Sequence, residues 1–260
     1  MLVCTLGDLL LDVIVRLDSP LAEGDDAAAT TTLAAGGQAA NVAAWAAALG
    51  AEARVVTVRA DDDAGTIVRG ELERRGVELR GPSGARTGVV VSIVHPDGER
   101  TMASDRGSSP ELAEEDLDAA WLRCDALHVS GYSLLGGRIA GAAALAREHG
   151  ARVSVDLSSW TQLAPRASEL RAAIAQIAPE VVFGNEQEWD AIGDVETGVR
   201  VIKRGSRGIV VDGEEHDAIP VDAVDSTGAG DALAAGFVVG GTQLALEAAA
   251  RCVAQVGAMP

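Results

Sequence analysis

The sequence has 260 residues, is 48% hydrophobic and only 3% aromatic, and carries a formal charge of −18 at pH 7. With 39 acidic against 21 basic residues it offers no general basic surface, which excludes broad polyanion binding and leaves nucleic acid outside the expected partners. The length suits one large α/β unit, and a core of Ala, Val, Leu and Gly suits helices packed closely on a parallel sheet.

In chain order, Leu2–Leu6 reads as a strand, and Leu11–Leu17 as a second strand that follows too closely for a crossover helix. Ala27–Ala29 reads as loop, Gln38–Leu49 as a helix, and the run 54–58 as a strand. Asp61–Asp63 is the solvated start of a helix over Ala64–Arg75. Gly88–His95, then Pro96-Asp97-Gly98, then Arg100–Ala103 carry a hairpin signal. Helix Pro110–Trp121, strand Ala126–Ser130, helix Arg138–Glu148, strand Val153–Asp156 and helix Ala167–Ile177 follow. Strands at Val181–Phe183, Val199–Lys203 and Gly208–Val211 precede two helices, Ala229–Val239 and Leu244–Ala254.

This alternation predicts βα units on a mostly parallel sheet, and the early strand plus the hairpin predict a small β flap beside it. A flap that closes over substrate excludes water from a transfer reaction. Neither an internal repeat nor a low-complexity linker interrupts the pattern, so residues 1–260 are expected to form one unit. Cys4, Cys124 and Cys252 are odd in number and far apart, which argues against a disulfide framework or a zinc site and for a reducing cytoplasm. Ala-rich runs are broken before about 18 apolar residues accumulate, so no membrane partner is expected.

The most informative stretch is Asp225-Ser226-Thr227-Gly228-Ala229-Gly230-Asp231, which runs into an apolar helix. Small residues there let the amides of Gly228, Ala229 and Gly230 converge on an anion with the positive end of the helix behind them. Asp231, in the first helical turn, is placed to take a proton from an attacking hydroxyl, although an aspartate at a helix start is also an ordinary cap. A dinucleotide fingerprint fails because Leu233 stands at its third glycine, and a Walker A loop fails because no G-K-[ST] occurs.

Residues 225–237, DSTGAGDALAAGF, resemble the D-T-x-G-A-G-D-x-F-x-x-G-F signature of the ribokinase-like (PfkB) carbohydrate kinases, with Ser226 and Leu233 departing from it. Gly36-Gly37-Gln38-Ala39-Ala40-Asn41-Val42-Ala43, followed by Leu49-Gly50, is similar to the family's earlier GGxxxNxAxxxxxLG motif. The resemblance implies a three-layer α/β/α sandwich with a β lid from segments of about 11–34 and 87–106. It implies an ATP-dependent kinase that moves the γ-phosphate to a hydroxyl, a primary alcohol, of a small sugar. Asp231 would be the base and Gly228, Ala229 and Gly230 the anion hole.

By the same resemblance Asp12, preferred over Asp8, together with Gly36, Gly37 and Asn41, would bind the sugar. Asn41 read without the resemblance is a helix cap. Asn185 and Glu188 match the family's N-x-x-E pattern and would serve nucleotide and Mg²⁺, the latter through water. Lys203, the sole lysine in the chain, and Gly205 would meet ATP phosphates. Asp225 would lie near a monovalent cation such as K⁺. Arg106, on the segment that would cross the flap, either contacts substrate or is solvated, and Asp156 either points into the crevice or caps the loop that follows; neither is expected to be catalytic. A homodimer is expected by analogy. Gln38-Ala39 departs from the Lys-Gly of typical ribokinases, so ribose does not follow. A nucleoside kinase and a non-catalytic sugar- or nucleotide-binding regulator remain the alternatives.

Overall fold

In the computed structural model, which describes residues 1–96, 99–135, 138–159, 161 and 164–260, the first strand already sets the layering. β1 (Leu2–Leu6) sends Val3 to one face and Cys4 and Leu6 to the other, and all three are buried, so the sheet is covered on both sides. The remaining strands are β2 (Leu10–Leu17), β3 (Ala29–Gly36), β4 (Glu52–Val56), β5 (Val77–Arg80), β6 (Gly88–Val94) and β7 (Arg100–Asp105). After them come β8 (Ala126–Ser130), β9 (Arg152–Asp156), β10 (Val181–Asn185), β11 (Val199–Lys203), β12 (Ile209–Val211) and β13 (Glu214–His216).

Nine of these strands form the main sheet in the order β13-β12-β11-β10-β9-β8-β1-β4-β5. Pairing is parallel from β5 through β11 and antiparallel only for β12 and β13 at the edge. One face is covered by α1 (Gln38–Ala48), α2 (Asp63–Arg74) and a long C-terminal helix. The other is covered by α3 (Gly131–Leu134), α4 (Ala142–Arg147), α5 (Ala167–Ile177) and α6 (Glu186–Ile192). The result is a three-layer α/β/α fold with two apolar cores. β3-β2-β6-β7 make a separate four-stranded sheet, the flap.

Several expected elements differ. β3 is a strand that was not expected separately: Ala27 and Ala28 lie outside it, and from Ala29 on Thr30–Thr32 and Leu33 run alongside β2 over eight residue pairs. β6 and β7 pair antiparallel as a hairpin should, while Asp97 and Gly98 of its turn lie outside the described residues. The helix expected over Pro110–Trp121 is instead three 3-10 turns. There the Glu114 amide leaves the helical ladder for the Arg138 carbonyl at 2.7 Å, and the Asp118 carboxylate caps Ala120 at 2.8 Å.

The two C-terminal helices are one kinked element, α7 (Ala229–Val253), with Gly241 at φ 80° and ψ −165° supplying the break. α7 is interrupted by Asp231, Thr242, Gln243, Glu247 and Arg251. It is 25 residues long with mean hydropathy 1.4, enough by length and composition to cross a membrane, yet half of that stretch is buried against the sheet and α1.

Candidate active site

Parallel strands present their C-terminal ends on one rim, and the crevice there is where sheets of this kind take ligands. β1 leads to β4 on one side and β8 pairs on its other side, so the chain changes direction between β1 and β8. Asp8, just past β1, is 2% exposed and accepts from Ser130 Oγ, at the end of β8, at 3.3 Å. Asp156 ends β9, Asn185 ends β10 and Lys203 ends β11 on the same rim. α1 and α7 begin over it, placing Asn41 and Asp231 in their first turns.

Asp231 and Asn41 meet. Asn41 Nδ2 donates to Asp231 Oδ2 at 2.7 Å, while buried Asn41 Oδ1 has no partner among the described residues. Asn41 is therefore not the cap of α1, whose N-cap is Gly37, and its amide faces the carboxylate rather than open crevice. Burial lifts the Asp231 carboxyl to about 7, against the Asn41 hydrogen bond, which pulls it down, and with the Asp156 charge adding to the rise. A carboxylate poised near neutrality suits a general base.

The turn before α7 depends on Gly228, whose φ is 77°. A Cβ there would fall 2.6 Å from Ala258 Cα, so the turn packs directly on the chain near residue 258. The Ala229 amide, expected in the anion hole, instead donates to the Ser226 carbonyl at 3.3 Å. The amides of Gly228 and Gly230 have no acceptor among the described residues and remain available. Gly228→Ala should lower stability by roughly 1–3 kcal/mol through the left-handed backbone alone. It should also reduce kcat about 100-fold by misplacing the amides. Thermal melts and steady-state rates check both, and a variant with parental kcat contradicts the anion hole.

Lys203 Nζ sits on both Asp156 oxygens, at 2.9 and 2.8 Å, and a Cβ at Gly230 would lie 3.3 Å from it. Its ammonium thus abuts the anion hole. Burial alone would pull this lysine down, but the Asp156 and Glu188 carboxylates outweigh burial and hold it above its ordinary value. Asp156, left unassigned from sequence, is fully buried and is the counter-charge of the site.

Asn185 and Glu188 form a capping box at the start of α6. Asn185 Oδ1 accepts from the Glu188 amide at 2.9 Å, and the Glu188 carboxylate takes the Asn185 amide at 2.7 Å and Nδ2 at 2.9 Å. The side chain of Asn185 thus caps its own helix. Glu188 is buried and raised to about 7 by that burial, with Lys203 opposing. Gly205, at φ 59°, opens the turn after β11 with nothing within 4 Å of its would-be Cβ, which leaves room for a ligand.

At the flap hinge, a Cβ on Gly36 would fall 2.2 Å from Asp12 Oδ2, and one on Gly37 would fall 2.6 Å from the Asp8 carbonyl. The glycine pair thus admits Asp12 and the chain at Asp8, a role independent of any sugar. Asp12 is raised to about 6 by burial and by the charge of Asp8. Asp225 Oδ1 accepts from the Thr227 amide at 2.9 Å and Oγ1 at 2.6 Å, and Oδ2 from the Gly257 amide at 3.1 Å. Those bonds brace the two loops, the task expected of a cation at Asp225.

Two neighbours, Arg106 and Ser158, carry no assigned site role in the sequence reading. Arg106 donates to Asp8 Oδ2 at 3.1 Å and lies 3.9 Å over the Tyr132 ring. Ser158, at φ 80°, donates to Gln38 Oε1 at 2.7 Å and accepts from the Tyr132 amide at 3.1 Å. A non-glycine residue held in that region is a strained point tying β9 to α1 and α3. Neither has a local sequence signal, because each partner is distant in the chain.

A family model described as pfkB family carbohydrate kinase matches residues 1–259. The chain is 33% identical to the ATP-dependent ribose-1-phosphate kinase of Halopiger xanaduensis, over 96% of this chain and 90% of that one. The crystal structure of adenosine kinase from Sinorhizobium meliloti superposes with a TM-score of 0.85 at 27% identity, covering 99% and 95% of the two chains. A putative ribokinase II from E. coli, in complex with ATP and Mg²⁺, has the same fold, with a TM-score of 0.79 at 22% identity over 99% and 94%. The chain belongs to the pfkB family of carbohydrate kinases, and its activity is ATP-dependent phosphoryl transfer to a sugar.

Proposed function

We propose that Asp231 takes the proton from a primary hydroxyl of a small sugar as that oxygen attacks the γ-phosphorus of ATP. Asn41 positions the carboxylate, the free amides of Gly228 and Gly230 receive the charge that grows on the phosphoryl oxygens, and Lys203 adds a cation beside them. As the O–P bond to the sugar forms, the bond to the ADP oxygen breaks and the proton passes to Asp231. The single observation that carries this reading is the 2.7 Å contact from Asn41 to a half-buried carboxylate at the start of α7. Asp12, under the flap, is the carboxylate we assign to sugar hydroxyls, since Asp8 is buried and paired with Arg106 and Ser130.

Magnesium fits in a limited way. Among the described residues no group of three His, Cys, Asp or Glu could hold a metal ion, and both Glu188 oxygens already accept from Asn185. That donor set suits an ion carried on the phosphates and its own waters, with Glu188 reached through water. Bound so, Mg²⁺ would neutralise the phosphate oxygens. The nucleoside reading is disfavoured by Tyr132, whose ring lies under the Arg106 guanidinium rather than open to a base. The outer strand β3 exposes Leu33 on the flap, which offers an edge for a second copy.

The test is ADP release, with and without Mg²⁺, across ribose, fructose, ribose-1-phosphate, 2-keto-3-deoxygluconate, adenosine and cytidine. Turnover on a sugar that depends on Mg²⁺ and on Asp231 is expected. Turnover on the nucleosides alone would reassign the substrate, and tight binding without any turnover would make the chain a regulator.

A further inference from the structure

Resting on the kinase reading above, we infer that the sugar carries an anionic substituent, a phosphate monoester or a carboxylate, away from the reacting hydroxyl, and that Arg106 reads it. Arg106 stands at the end of β7, where the flap returns to the main sheet. Its guanidinium is fixed on two sides: over the Tyr132 ring at 3.9 Å, and on Asp8 Oδ2 at 3.1 Å. Tyr132 belongs to α3, directly after β8, so the stack bridges flap and rim. Asp8, the partner of Arg106, also accepts from Ser130 Oγ at the end of β8 at 3.3 Å, which puts Arg106 on the rim that carries the base.

A guanidinium has five N–H donors in a planar fork. Only one of those on Arg106 has an acceptor among the described residues. The side chain is 24% exposed, so the remaining donors are not sealed in the core. Lys203, on the same rim, is held by both Asp156 oxygens and faces the phosphoryl end at Gly230. The two cations are therefore divided between the two ends of the reaction. Stacking on an aromatic face and pairing with a buried carboxylate both hold the fork rigid, the condition for two-point contact with phosphate or carboxylate. A neutral sugar needs no such group, because a carboxylate such as Asp12 under the flap suffices as a polar partner for hydroxyls. Neutralising Asp8 alone would ask for one contact, not a fork stacked on Tyr132 where the flap meets the rim.

The experiment measures kcat/KM of the full chain, with ATP, for ribose-1-phosphate, 2-keto-3-deoxygluconate, ribose and fructose. It compares the parent with Arg106→Gln and Arg106→Lys. An anionic sugar is expected to be preferred over free sugars, with that preference falling about 100-fold in Arg106→Gln, the worth of a charge-assisted two-point contact. Arg106→Lys should fall partway, since it keeps the charge and loses the fork. Ribose-1-phosphate against the keto acid decides between phosphate and carboxylate. Should Arg106→Gln fail to fold, the parent's preference and the lysine variant decide. A parent that prefers ribose or fructose, or a preference unchanged by both variants, overturns the assignment. Thermal stabilisation of the parent by ribose-1-phosphate but not by ribose, with no ADP formed from any sugar, would sink the kinase reading and leave Arg106 as an anion contact.

Discussion

Asp231→Asn is expected to lose roughly 1,000-fold or more in kcat while making the folded chain more stable. The two effects share one cause. In the folded chain burial, with the Asp156 charge adding, lifts this carboxyl from 3.8 to about 7. The folded state thus binds the proton more tightly than the unfolded one, so the stability tied to this group is present below about 3.8 and is lost as pH rises through about 7. At pH 8 the ionised carboxylate is a net strain on the fold, worth roughly 1–3 kcal/mol once partial exposure is discounted. Asparagine keeps an oxygen for Asn41 Nδ2 and carries no charge, so it relieves that strain and leaves no base.

Thermal melts at pH 8 should show the variant more stable, with the advantage shrinking towards pH 4. For the parent, kcat/KM should fall as pH drops below about 7, the value the carboxyl reaches in place. Glu188, also raised to about 7, and Asp12, raised to about 6, titrate in the same window, so the profile belongs to the cluster. Retention of kcat within tenfold in Asp231→Asn would end the base assignment.

What the sequence displayed was what local geometry demands. Gly228 and the Gly36–Gly37 pair could be read because a left-handed turn or a close approach of chains admits only glycine, at any remove from the rest of the site. The parallel sheet was legible for the same reason: strands buried on both faces leave continuous apolar runs. The flap strand β3 was hidden because its outer residues are polar and exposed, with a threonine run instead of an alternating pattern. Over Pro110–Trp121 the apolar spacing suggested helix, but tertiary partners such as the Arg138 carbonyl took its amides.

Long-range pairs left no trace in the sequence. Asn41 and Asp231 are 190 residues apart, so the contact that turns Asn41 into a positioning residue could not be read from its place near a helix start. Asn185 and Glu188 show the converse, since three residues of spacing served equally as a nucleotide motif and as a capping box, and the structure uses it as a cap. Asp8 and Asp12 differ by one turn of chain around the flap hinge. Only the Arg106 and Ser130 contacts distinguish Asp8 as the paired one.

Lys203→Met should be the most destabilising single change at the site, by roughly 3–5 kcal/mol, because it strands a buried carboxylate. Asp156 is fully buried, and both of its oxygens receive Lys203 Nζ. Losing that cation also lets the Glu188 carboxyl climb further, since Lys203 is what opposes its burial. The double variant Lys203→Met with Asp156→Leu should recover most of the stability, as buried ion pairs replaced by apolar groups commonly do. It should not recover activity, because the ammonium beside Gly230 is gone. Chemical denaturation of the two single variants and the double variant, run with phosphotransfer assays, separates the roles. Equal stability of Lys203→Met and the parent would show that the pair is not formed in solution, and full activity in the double variant would remove Lys203 from the phosphoryl end of the site.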